Sequence, residues 1–182
     1  MEIENAGKKF DEFAFSYLDI KDERNIVLVA SSRMDDVLFE ILEKYFLPKI
    51  SKPSDLDELL GGDRPLASFS SRIKIVYRLG LIDQSFCDIL EKVREIRNKS
   101  AHMVVFRLNV RPLKQKMDHL LSLIKAKESY SNIKNQYYKD KELEREEVIK
   151  CAYLTICFLL EAIRLKIEKI SENPETISIS KK

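Results

Sequence analysis

The 182-residue chain has no tryptophan, two histidines, three cysteines, four glycines and five prolines. Glycine and proline together make up about 5% of it, against about 12% in an average protein. So few backbone breakers, beside abundant Leu, Ile, Lys and Glu, point to long helices joined by short connections. Cys87, Cys151 and Cys157 are odd in number and sit inside apolar patterns. They read as buried thiols of a reducing cytosol and exclude a disulfide framework or a cysteine-rich zinc site. The densest apolar run, "CAYLTICFLL" (151–160), ends at Glu161. It falls short of the ~18 residues a membrane span requires. Met1 to Phe10 is already polar and shows no basic-then-apolar leader, so a cytoplasmic location is expected.

Hydrophobic residues make up 45% and charged residues 34%, the balance of a soluble globular protein. At this length one domain is expected, over residues 1–170, burying roughly two-thirds of its unfolded surface. The tail "SENPETISISKK" has no core-forming pattern and is expected to be flexible. Net charge is only +2, but it is unevenly distributed. Between Lys92 and Lys116 eight basic residues face a single acid, Glu95. Such a window suits an anionic partner.

Apolar spacing predicts a short helix over Phe10–Leu18 and a longer one over Glu23–Phe46. Ser54 is placed to cap the acidic turn "SDLDELL". "GGDRPLASFS" (61–70) is the one Gly-rich stretch, and it lacks the GxxxxGK[ST] pattern of a phosphate loop. A helix is predicted over Ala67–Leu79, stopped by Gly80, and another after Asp83 as N-cap. "MVVFRLNV" (103–110) reads as extended or irregular, and Pro112 as just inside the start of a helix to about Ile124. Residues 125–140 read as a polar connection to a last helix over Lys141–Ile170. That helix is apolar nearly all round from Cys151 to Ile163, so it must be covered on several sides. The expected fold is an all-α helical bundle with a long apolar C-terminal helix.

The stretch "REIRNKSAH" (94–102) closes the helix that follows Asp83. Arg94, Asn98 and His102 fall on one stripe at i, i+4 and i+8, with Arg97 beside Asn98. An imidazole next to fixed guanidinium charges is one way to cleave RNA without a metal. His102 would move the proton, Arg97 would neutralise the charge on phosphorus, and Asn98 would orient the imidazole or a phosphate oxygen. Arg94, Lys99, Arg107 and Arg111 would then contact RNA or another anionic partner. The structural reading is equally physical: a histidine in the last turn interacts with the helix dipole, and Arg and Asn at a helix end tie down loops. If the second helix packs against this one, Asp35 or Asp36 would supply Arg97 with an acidic partner. His119 has no neighbours at metal-ligand spacing and reads as a surface or interface residue. Tyr137 and Tyr138 read as core packing for at least one ring, with base stacking as the alternative. No cofactor or metal site is expected, and no DNA-reading motif is evident.

The segment "ELLGGDRPLASFSSRIKIVYRLGLIDQSFCDILEKVREIRNKSAH" (58–102) resembles the central signature of the MltR family, named from a mannitol operon repressor. The resemblance rests on the Gly-Asp-x-Pro-Leu approach, Phe69-Ser70-x-Arg72-Ile73-Lys74, Tyr77, Leu79-Gly80-Leu81-Ile82, and the helix closing on Arg97, Asn98 and His102. It implies an all-helical, dimeric protein of transcriptional regulation that acts through protein partners. Arg97, Asn98 and His102 are also similar to the R-x4-6-H motif of HEPN domains. These are helical bundles, many of them metal-independent endoribonucleases whose sites form between two subunits. That second resemblance implies an RNA-cleaving alternative.

Overall fold

The computed structural model describes residues 2–52, 54–139, 141–168 and 170. The tail 171–182 lies outside the described residues. Among the described residues there are seven helices and no strand. They are α1 (Glu2–Leu18), α2 (Glu23–Tyr45), α3 (Phe69–Arg78), α4 (Gln84–His102), α5 (Leu113–Lys125), α6 (Glu128–Tyr138) and α7 (Arg145–Lys166).

Local chemistry sets most of the boundaries. Asp22 begins α2 by accepting from the Asn25 amide at 2.9 Å, and Asp83 begins α4 by accepting from Phe86 at 2.7 Å. Ser68 and Ser71 form a reciprocal capping box at the start of α3. Gly80 ends the segment at φ +72, a conformation that costs glycine nothing and other residues strain. The turn before α3 is organised by Asp57 rather than Ser54, because the Asp57 carboxylate accepts from both the Leu59 and Leu60 amides at 2.8 Å. Pro112 stands at the N-cap of α5, one residue before the helix rather than inside it.

Three boundaries depart from the sequence pattern. Residues 128–138 form α6 instead of a connection, yet bury only Tyr130 and Ile133, too few for a readable stripe. Helix α1 extends back to Glu2 through exposed polar turns. Helix α7 is shorter than expected, starting where Glu144 and Glu147 build a capping box and ending at Lys166.

The core lies between α2 and α7, which pack extensively on each other. Helices α3 and α4 cover α2 on one side, while α1, α5 and α6 cover α7. Every residue from Ile149 to Cys157 is buried. That run includes Lys150, whose ammonium donates to the Leu18 carbonyl at 2.9 Å and pairs with Glu146 at 2.7 Å. Two good partners are what make a buried cation tolerable. No helix among the described residues is long and apolar enough to cross a membrane.

Candidate functional site

The site considered is the C-terminal half of α4 and the segment after it. Ile89, Leu90, Val93 and Ile96 bury the inner face of α4, which turns Arg94, Asn98 and His102 outward. Arg94 is half-buried and held on its own helix by Glu91, Nε to Oε2 at 2.7 Å. Asn98 and Lys99 are exposed. His102 is exposed as well, and among the described residues its side chain has no hydrogen-bond or ion-pair partner.

Arg97 behaves differently from the residues around it. Its guanidinium lies over the Phe69 ring of α3, 5.4 Å from the centroid, and its Nη1 is 3.6 Å from Asp35 Oδ2 on α2. The same carboxylate is bound more tightly by a second arginine, with Arg72 Nη1 2.6 Å from Asp35 Oδ1. Arg72 is 9% exposed and uses its remaining donors on backbone: Nε to the Leu66 carbonyl and Nη2 to the Leu60 carbonyl, both at 3.0 Å. Its guanidinium also sits 5.1 Å from the Phe39 ring centroid. One carboxylate thus joins α2 to α3 and α4, and one arginine closes the loop that contains the two adjacent glycines. Within that loop Gly62 has φ +58, and a Cβ on Gly61 would meet Leu56 at 3.2 Å and the Asp57 backbone at 3.3 Å.

The chain beyond His102 is irregular but pinned. Arg24 donates to the carbonyls of Met103 (2.5 Å) and Val104 (3.1 Å), and Glu23 accepts from the Leu108 amide at 2.9 Å. Phe106 and Leu108 are buried anchors, whereas Val104, Val105, Arg107, Val110 and Arg111 point outward. Lower on α4, Lys116 from α5 and Lys92 both bond Glu95, and the Lys116 ammonium holds the Glu95 carboxyl below its ordinary range.

The proposed residues therefore separate into two groups. Asn98, Lys99, His102, Arg107 and Arg111 are exposed along the last turns of α4 and the segment after it, while Arg94 and Arg97 are engaged by carboxylates of their own chain. Asp36 is exposed, so Asp35 is the acid that faces Arg97. Asp35, Phe69 and Arg72 behind Arg97, and Glu23 and Arg24 beneath the loop, complete the arrangement. A cation interrupting the apolar stripe of α3 was the available signal for Arg72; nothing local marked Glu23 or Arg24. His119 is exposed on α5. Tyr137 and Tyr138 are half-buried and spend their hydroxyls inside the chain, on Asp11 at 2.5 Å and on the Glu147 carbonyl at 3.4 Å. No group of three His, Cys, Asp or Glu that could hold a metal occurs among the described residues.

No family model and no curated protein matches the chain. Among solved structures it is similar to a chain of the X-ray structure of the MtlR–HPr complex from Escherichia coli, with TM-score 0.57 and 18% identity. The match covers 85% of this chain and 98% of that one. At this identity the likeness concerns the fold, which is helical and MtlR-like.

Proposed function

We propose that the chain is an MltR-like regulatory protein of the cytoplasm, acting in transcriptional regulation by binding other proteins. In this reading residues 1–170 form one helical domain that works as a homodimer. The observation that carries it is the shared fold over 85% of the chain with a protein crystallised in complex with another protein. The use of Arg72 and Arg97 agrees with it, since signature positions that hold three helices together specify a scaffold more directly than a reaction.

The first partner to try is HPr from the same cell. Titration of labelled HPr with the purified protein should give saturable binding, and sedimentation should give twice the mass of one chain. Affinity capture from cells should also recover a transcription factor or a sugar-uptake component. Absence of HPr binding together with repeated recovery of nothing would count against this reading.

A HEPN-type metal-independent endoribonuclease is the second reading, favoured by one observation: His102 is exposed and has no side-chain partner among the described residues, one turn after the exposed Asn98. Here Arg97, Asn98 and His102 would act on RNA held by Arg94, Lys99, Arg107 and Arg111. Incubation with mixed RNA in EDTA, beside His102→Ala, tests it; equal cleavage by both proteins, or cleavage by neither, removes His102 from that role.

A further inference from the structure

Folding redistributes the charge of the Lys92–Lys116 window. On the shank of α4 and its neighbour α5 the cations are matched: Arg94 with Glu91, Lys92 and Lys116 with Glu95, Arg97 with Asp35, and Lys114 with Asp118. At the tip they are not. Lys99, Arg107 and Arg111 are exposed and have no acidic partner among the described residues. His102 stands among them.

The same segment carries three exposed aliphatic side chains. Val104 is 96% exposed, Val105 69% and Val110 56%. Single exposed apolar residues are ordinary, but here three within seven positions alternate along the chain with the unmatched Arg107 and Arg111, so one short segment offers both apolar and basic surface. That is the anatomy of a protein interface. Next to it Asp22, Arg24, Asn25, Val104, Val105, Phe106 and Arg107 line a groove of about 490 Å³, large enough for a partner's side chain. The loop is also held in place, by Arg24 on two of its carbonyls, Glu23 on the Leu108 amide, and the buried Phe106 and Leu108. A preorganised loop loses little further entropy on binding.

We infer that the tip Lys99–Arg111 is a docking surface for an acidic protein segment with aliphatic side chains at its centre. This rests on the reading of the chain as a protein that acts through protein partners, and it names the chemistry of one such partner. Single-stranded RNA would call for an exposed aromatic platform, and the one ring in the segment, Phe106, is 5% exposed. A bilayer surface would call for a larger apolar face with Trp, Phe or Leu, where the tip offers three short valines.

The test uses the full chain and three labelled probes: a peptide of alternating Glu and Leu, poly(U) RNA, and phosphatidylcholine vesicles containing phosphatidylserine. The parent and Lys74→Glu, an exposed cation on α3, should bind the peptide equally. Arg107→Glu/Arg111→Glu and Val104→Ser/Val105→Ser should each weaken it about tenfold or more, the charge variant losing salt dependence as well. Preference for RNA or vesicles, peptide binding unchanged in both tip variants, or no peptide binding would each overturn the inference. Because HPr is not one of these probes, failure here leaves the HPr titration to stand or fall on its own.

Discussion

Asp35 Oδ1 lies 2.6 Å from Arg72 Nη1, in a pair whose side chains are only 17% and 11% exposed. Removing Asp35 leaves the Arg72 guanidinium buried without a carboxylate, and removing Arg72 leaves Asp35 only the longer 3.6 Å approach of Arg97. Arg72→Ala should therefore cost about 3 kcal/mol or more of unfolding free energy, and Asp35→Asn a comparable amount. Urea unfolding followed by helical circular dichroism measures both. The double variant Asp35→Asn/Arg72→Met should lose less than the two single losses combined, because of the three charges only the part-exposed Arg97 is left without its partner. Strict additivity would show that the pair is not coupled.

Arg97 and His102 belong to the same sequence motif but should respond differently to truncation. Arg97→Ala removes both the contact over Phe69 and the 3.6 Å approach to Asp35, a loss of about 1 kcal/mol for a part-exposed side chain. His102→Ala removes no described bond and should stay within about 0.5 kcal/mol of the parent. The same preparations should leave mixed RNA intact in EDTA, since the Arg97 guanidinium is already occupied within its own chain. Cleavage by the parent that disappears in His102→Ala would reverse this expectation and favour the ribonuclease reading.

These contrasts show where the sequence was legible. Helices α2 and α4 announce themselves because each buries one continuous stripe, and Asp83 and Gly80 are the residue types their cap positions demand. Helix α6 does not, because two buried residues in eleven carry no period. The contact between Asp35 and Arg97 could be anticipated only on condition that α2 met α4, which is a tertiary fact. Arg72 was harder still: its partners are the Leu60 and Leu66 carbonyls and a carboxylate 37 positions away. Likewise, the sequence counts the charges of the basic window but says nothing of which ones are matched.

The cysteines give a prediction about accessibility. Burial pushes the Cys151 thiol up to about 11 and the Cys157 thiol up to about 12, and both side chains are fully enclosed. Thiolate is the reactive form, so neither should react with a disulfide reagent at pH 8 while the chain is folded. Cys87, 7% exposed on α4, should react slowly and alone. Adding urea should release all three thiols at the midpoint of unfolding. Fast labelling of Cys157 in native buffer would mean that α2 and α7 separate far more readily than their packing indicates.

The bonds that Glu58 accepts in the loop between α2 and α3 should persist to low pH. The Glu58 carboxylate accepts from the Ile50 amide at 2.8 Å and from the Ser51 hydroxyl at 2.9 Å. The Ile50 amide foremost, then the Glu58 amide and the Ser51 hydroxyl, stabilise the ionised form, lowering this carboxyl from 4.5 to about 2. A depressed folded-state value stabilises the loop fully above the unfolded value near 4.5, and that contribution is lost as pH falls through about 2. In a carboxyl-resolved NMR titration the Glu58 signal should move near pH 2, together with the Ile50 amide, after the exposed carboxylates have titrated. In Glu58→Gln the Ile50 amide should no longer follow that step. A Glu58 midpoint above 4 in the parent would show that the two bonds do not persist in solution, and the loop would then rest on its remaining bonds, those of Asp57 and Arg72 among them.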